Sequence, residues 1–268
     1  LARPMTMGDN LWGWQNIKGS PYLTCALLAP WSHGFFTRAF YPQLPEVLIN
    51  YLDSQGKALR VKQVHGDVAL TAKEISQNPP APDSVHPPAD GVISDAPHQG
   101  VWVASADCTP VLIGDLTSKR VAAVHAGWRG TKARIVPKTI DRFLALGSDL
   151  RDLRIALGPA IAGEVYQVDP WVALEVGQSV PAVQRLTTEA QQWDYLSTMA
   201  NPPVLPDGQP EKCRLDVRRI NELQLLDLGL APEQIAVAPH CTFQMEELFF
   251  SYRRTHTKEV QWSGIVSR

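Results

Sequence analysis

Apolar residues fall in short runs along the chain, each rich in β-branched residues and bounded by glycine, proline or aspartate. Such runs occur at 22–30 (YLTCALLAP), 59–65 (LRVKQVH), 67–72 (DVALTA), 100–105 (GVWVAS), 111–115 (VLIGD) and 120–126 (RVAAVHA). Later ones lie at 153–157 (LRIAL), 234–238 (QIAVA) and 259–266 (EVQWSGIV). This pattern predicts strands. Helical spacing of apolar residues predicts helices over 45–54, 131–146 and 216–228. In the last of these, Asp216 is placed to cap the start and Gly229 to end the helix. The mixture points to an α/β (α+β) architecture. The segment 78–90 (NPPAPDSVHPPAD) holds five prolines and reads as a stiff loop. The segment 194–213 is also broken by prolines and by Gly208.

Composition narrows the function classes. The 268 residues are 44% hydrophobic, enough for one broad domain or two small ones. The net charge of -2 leaves no basic face for nucleic acid or an anionic membrane. No apolar run reaches the roughly 18 residues of a membrane helix. Residues 1–10 lack a basic start followed by an apolar stretch, so they do not read as a secretory signal. The four cysteines, Cys25, Cys108, Cys213 and Cys241, form no CxxC pair. They read as reduced thiols of a cytoplasmic protein rather than a disulfide framework.

Candidate chemistry gathers in three segments: Gln63-Val64-His65-Gly66 at the end of a predicted strand, Ala106-Asp107-Cys108-Thr109-Pro110 between two strands, and His125-Ala126-Gly127-Trp128-Arg129-Gly130 where a strand gives way to a helix. A thiolate and two imidazoles suit zinc, and three protein ligands leave a fourth position open, as in catalytic sites. The competing reading is structural, since a free cysteine is commonly a small buried hydrophobe. A strand-end histidine is likewise commonly a packing residue. Gly127 and Gly130 allow backbone N–H groups to approach an anion, with Arg129 reinforcing them, or form a plain tight turn. Arg38, after Gly34-Phe35-Phe36, and Arg253-Arg254, after Phe250, sit near aromatics and are candidates for holding phosphate. Asp90 and Asp107 are placed to orient ligands.

These segments together resemble the YfiH-like family, also known as the multicopper polyphenol oxidase (laccase) domain or purine nucleoside phosphorylase family. The matching pieces are HGFFTR at 33–38, QVHG at 63–66, ADG at 89–91, ADCTPVLIGD at 106–115, VAAVHAGWRGT at 121–131, GPAI at 158–161 and FSYRRT at 250–255. They run from about residue 30 to the C-terminus. The resemblance implies a single α/β domain over 1–268, similar in its core to cysteine deamidase toxins. It implies a zinc site on His65, Cys108 and His125, with copper as the other candidate ion. It also implies phosphorolysis of adenosine and inosine, with adenosine deamination and methylthioadenosine cleavage as side activities. The partners expected are a purine nucleoside and phosphate, with no nucleic acid and no membrane. Cys108, His125 and Asp107 are then the candidate catalytic groups, and Arg38 and Arg129 the candidate phosphate groups. One departure stands out. Many relatives carry a cysteine pair after the GPAI-like segment, where this chain has Ala162-Gly163-Glu164-Val165-Tyr166.

Three other readings compete. A copper oxidase resembling laccase needs His-x-His pairs around a copper cluster, and the seven histidines here include none. A metal-free hydrolase would use Cys108 as nucleophile and His125 as base. A binding subunit would use the trio for no turnover at all.

Overall fold

The computed structural model describes residues 11–268; the reading of 1–10 lies outside the described residues. Two six-stranded mixed sheets form most of the framework. The first runs in the order Trp12–Ile17, Ser20–Cys25, His33–Phe36, Gln261–Val266, Gln99–Ser105 and Lys57–Leu59. The second runs Ile235–Val237, Leu153–Leu157, Thr109–Asp115, Val121–Ala126, Gly91–Ile93 and Ala69–Thr71. Side chains alternate across each strand, so each sheet has two apolar faces to cover. Leu23, Phe35, Val103 and Ile265 of the first sheet meet Leu112, Ala123 and Ala156 of the second in one buried cluster. The outer face of the second sheet, with Val111, Ala122, Val124 and Ile155, packs on Ile135, Ile140 and Phe143 of the helix Ile135–Ala145. The outer face of the first sheet, through Phe36 and Trp102, packs on Leu48 and Ile49 of the helix Pro45–Leu52. The result is four layers, helix on sheet on sheet on helix, an α+β arrangement. A small third sheet (Gln167–Val168, Cys213–Leu215, Val204–Pro206) and the helices Pro170–Gly177 and Glu189–Thr198 share a further cluster.

The strands read at 100–105, 111–115, 120–126, 153–157, 234–238 and 259–266 are present, within a residue or two at their ends. The helix Val217–Asp227 is capped by Asp216, which accepts from the Arg219 N–H at 3.0 Å, and ends before Gly229 at φ 95°. The run at 22–30 is a strand only to Cys25 and then a 3₁₀ turn.

Three expectations are corrected. The run 59–65 is not a strand. Lys57–Leu59 is paired, but the N–H groups of Val64 and His65 go to the Asp90 carboxylate, and His65 takes φ 61°. The helix expected over 131–146 is two helices, Trp128–Lys132 and Ile135–Ala145, broken at Arg134 with φ 63°. There the Thr131 carbonyl accepts from both the Arg134 N–H and the Gln224 side chain, which turns the chain instead of continuing it. The segment 194–213 also begins inside the helix Glu189–Thr198 rather than as a loop. Among the described residues, no helix is long and apolar enough to cross a membrane.

Candidate metal centre

The strand alternation that builds the core also aims two of the three candidate ligands. In Val121–Ala126, Val121 and Ala123 point between the sheets, so His125 takes that same face at the strand end. The antiparallel register pairs Thr109 with Ala126 and Pro110 with His125. That register puts Cys108 across from Gly127. Gly127 is required there: a Cβ on it would lie 2.9 Å from Cys108 Sγ. Gly130 has an equivalent duty, since its Cβ would lie 2.9 Å from the Gly66 carbonyl oxygen. The two glycines, open from sequence between an anion cradle and a tight turn, thus let the three segments close on one another. The helix they open is only five residues long.

His65 arrives by another route. It sits on an irregular loop whose Gln63 side chain pairs with the Ala104 backbone in both directions, at 2.8 and 2.7 Å, in the manner of a missing strand neighbour. Asp90, fully buried, then accepts from the N–H groups of Val64, His65 and Gly66 at 3.1, 2.9 and 2.7 Å. The same carboxylate accepts from Nδ1 of His125 at 2.8 Å. That bond fixes the tautomer and leaves Nε2 of His125 free to act as a ligand.

Candidate ligand atoms of His65, Cys108 and His125 all lie within 4.8 Å of one another. The two imidazole rings stand 4.8 Å apart, nearly perpendicular at 86°. Tetrahedral zinc with N and S ligands sets ligand–ligand separations of about 3.3–3.6 Å, so small side-chain adjustments close the trio on one ion. The donor set fits a zinc-type centre. The electrostatics agree. Burial pushes the Cys108 thiol up, but the positive charge of His125 and hydrogen bonds from both imidazoles outweigh it and bring it down to about 6. Burial disfavours charge on His125, yet the Cys108 thiolate and the Asp90 carboxylate prevail and raise it. Cys108 is thereby held as the thiolate that a metal ligand must be, while His125 must give up its proton for Nε2 to bind a metal.

The trio opens on a pocket of about 590 Å³. Arg60, Lys62 and Lys258 bring positive charge to its wall, and Tyr252 and Trp262 bring flat faces. The Arg60 guanidinium lies 5.5 Å from the Trp262 ring and bonds Glu46 through Nε at 2.9 Å. Of these wall residues only Tyr252, within the FSYRRT motif, stands out in the sequence. Arg60 and Lys62 are hidden in a run that reads as a strand, and Trp262 in a terminal strand far along the chain.

Other candidates stand apart from the trio. The Asp107 carboxylate accepts from Thr242 Oγ1 at 2.7 Å, Ser251 Oγ at 3.0 Å and the Arg253 N–H at 2.7 Å. With φ 100°, it anchors the turn that presents Cys108. Arg38 donates to the Glu246 carbonyl at 2.8 Å and lies over Phe250. Arg129 lies 4.4 Å over the ring of Trp128. Neither arginine is among the residues lining the pocket. Arg253 lies 4.7 Å over Tyr166, whose hydroxyl is pushed up to about 12 by burial and by the Cys108 charge. The stretch 162–166 carries no cysteine of its own, but Cys241 approaches it and its Sγ accepts from the Ala162 N–H at 3.3 Å. All four cysteines are free.

A mixed-sheet α+β fold that brings a Cys–His–His trio together from a strand, a turn and a loop defines a class of proteins, and this chain belongs to it. It is a member of the YfiH-like family, whose model, described as multi-copper polyphenol oxidoreductase laccase, matches residues 46–266. The chain is 87% identical, over 98% of its length and 100% of the relative, to a protein of Synechocystis sp. named purine nucleoside phosphorylase slr1573. It is 34% identical to purine nucleoside phosphorylase Rv2149c of Mycobacterium tuberculosis, over 72% of this chain and 66% of that one. The crystal structure of YlmD from Geobacillus stearothermophilus superposes with a TM-score of 0.76 at 24% identity, covering 95% of this chain and 98% of that one, and shows the same fold.

Proposed function

We propose that the chain is a zinc-dependent purine nucleoside phosphorylase acting on adenosine, inosine or methylthioadenosine in the cytoplasm, with adenosine deamination as a side activity. The observation that carries the reading is the trio on the floor of a pocket of about 590 Å³. That volume lies in the range of small-molecule sites, about 300–1,000 Å³. The name of the Synechocystis relative supports the same reaction.

Phosphorolysis joins a phosphate oxygen to ribose C1′ as the C1′–N9 bond breaks. The bond electrons leave with the base, and a proton must reach it. The proton comes from the phosphate or from water, and the residues answer the binding needs in turn. Trp262 and Tyr252 offer faces on which a purine stacks. Arg60, which bonds Glu46 through Nε, and Lys62, which pairs with Asp83 at 2.7 Å, suit the phosphate. Arg129 and Arg38 are the alternative phosphate partners, and separate alanine variants distinguish the three arginines by the Michaelis constant for phosphate. Cys108 and His125 define the polar floor. Zinc, when bound by the trio, supplies a Lewis-acid centre there.

The deciding experiment follows free base and inosine released from adenosine, with and without phosphate. Base release that requires phosphate supports phosphorolysis. Base release indifferent to phosphate contradicts it, and inosine alone would make deamination the main activity. A second reading rests on the low thiol of Cys108 beside His125, the arrangement of a cysteine nucleophile and its base. Turnover that survives EDTA favours that reading over the metal enzyme. Copper also suits the donor set; copper retained through purification, with oxygen uptake on a phenol, would replace zinc by copper.

A further inference from the structure

We propose that Asp90 is a positioning residue that holds two of the three ligands at once, His125 through its ring and His65 through its backbone. The inference rests on the metal reading of the trio and adds to it the device that keeps the site assembled.

The geometry divides the work between the two carboxylate oxygens. Oδ1 accepts from the His65 N–H and from His125 Nδ1, at 2.9 and 2.8 Å. Oδ2 accepts from the Val64 and Gly66 N–H groups, at 3.1 and 2.7 Å. Three successive backbone N–H groups curled around one anion form a nest, and here the anion belongs to the chain itself. The nest holds His65 at φ 61°, a backbone conformation uncommon outside glycine. The backbone of Asp90 adds a further tie, since its carbonyl accepts from the His125 N–H at 2.7 Å. Asp90 is fully buried, so water offers no substitute.

Asparagine has the same shape but one acceptor fewer. If its NH₂ replaces Oδ1, the His65 N–H loses its acceptor, and His125 must accept at Nδ1 and carry its proton on Nε2, the atom needed as a ligand. If it replaces Oδ2, two backbone N–H groups lose their acceptor and the turn at His65 is released. Either orientation releases the His65 arm, and the first also spoils the His125 arm.

The test reads zinc affinity by competition with a chromogenic chelator, with no nucleoside present. It compares the wild-type chain, Asp90→Asn, His125→Ala and the double variant. Asp90→Asn is expected to weaken zinc about 10–100-fold. In the His125→Ala background, which loses its zinc on purification and is therefore titrated with zinc in excess, it is expected to weaken the residual affinity by a further factor of about ten, through the His65 arm. Affinity unchanged by Asp90→Asn overturns the proposal, and so does the absence of any further loss in the double variant, which would confine Asp90 to His125. Thermal unfolding of the metal-free forms reports whether each folds. If Asp90→Asn does not, Val64→Pro removes a single N–H from the nest at a residue 52% exposed. It is expected to weaken zinc severalfold, and unchanged affinity overturns the proposal. A wild-type chain that takes up no zinc would sink the metal reading itself, a result separate from these.

Discussion

His125 and His65 stand with ring centroids 4.8 Å apart, yet the chain holds them differently. His125, 3% exposed, ends a strand whose every residue is buried and whose neighbours pair on both sides. His65 lies in an exposed loop outside any strand, held by the Gln63 side chain and the nest around Asp90. One arm of the site is rigid because the core is rigid; the other is rigid only while a few polar contacts persist. Stability and chemistry are therefore separable at His65 and entangled at His125.

The largest effects come from removing an arm outright. His65→Ala, Cys108→Ala and His125→Ala are each expected to lower nucleoside turnover by at least about 100-fold, beyond the usual loss from an outer partner of a ligand. Unfolding of the metal-free variants then separates the arms. His125→Ala leaves a buried carboxylate short of one donor and costs about 1–3 kcal/mol, whereas His65→Ala stays within about 0.5 kcal/mol. Equal costs would erase the distinction.

Substitutions beside the ligands sharpen it. Leu112→Ala, in the strand paired with that of His125, is expected to cost about 2–5 kcal/mol in chemical denaturation. Val64→Ala, next to His65, is expected to change stability by less than about 0.5 kcal/mol. Gly127→Ala places a methyl group 2.9 Å from Cys108 Sγ. It is expected to cost about 1–3 kcal/mol and to weaken metal binding in chelator competition.

The smallest effect is a pH dependence. In the metal-free chain Cys108 is a thiolate at neutral pH, because His125 outweighs burial and brings it to about 6. Its alkylation is expected to stay full at pH 8 and to fall as the pH drops through about 6. Cys25 and Cys213, pushed up to about 11 by burial, are expected to stay unreactive over the same range. A half-point for Cys108 near that of an ordinary thiol would show that the imidazoles do not act on it.

The same contrast explains what the sequence reveals. Strands such as 111–115 and 121–126 are legible because burial on both faces demands continuous apolar runs. The run 59–65 misleads because its Leu, Val and Val imitate a strand while a distant carboxylate captures its backbone. The helices Pro170–Gly177 and Pro181–Gln184 escape notice because they are short and begin at prolines. The trio is visible through its residue types and the motifs around them. Its pocket wall is not, since Arg60, Tyr252 and Trp262 come from segments brought together only by the fold. The role of Gly127 is hidden for the same reason: nothing in a local glycine pattern tells an anion cradle from a close approach to sulfur.

Elemental analysis of the purified chain and of its three ligand variants decides whether the trio holds a metal. Close to one zinc ion per wild-type chain is expected, and almost none in His65→Ala, Cys108→Ala or His125→Ala, each with its fold retained. Full metal content in any two of the three variants would contradict that expectation.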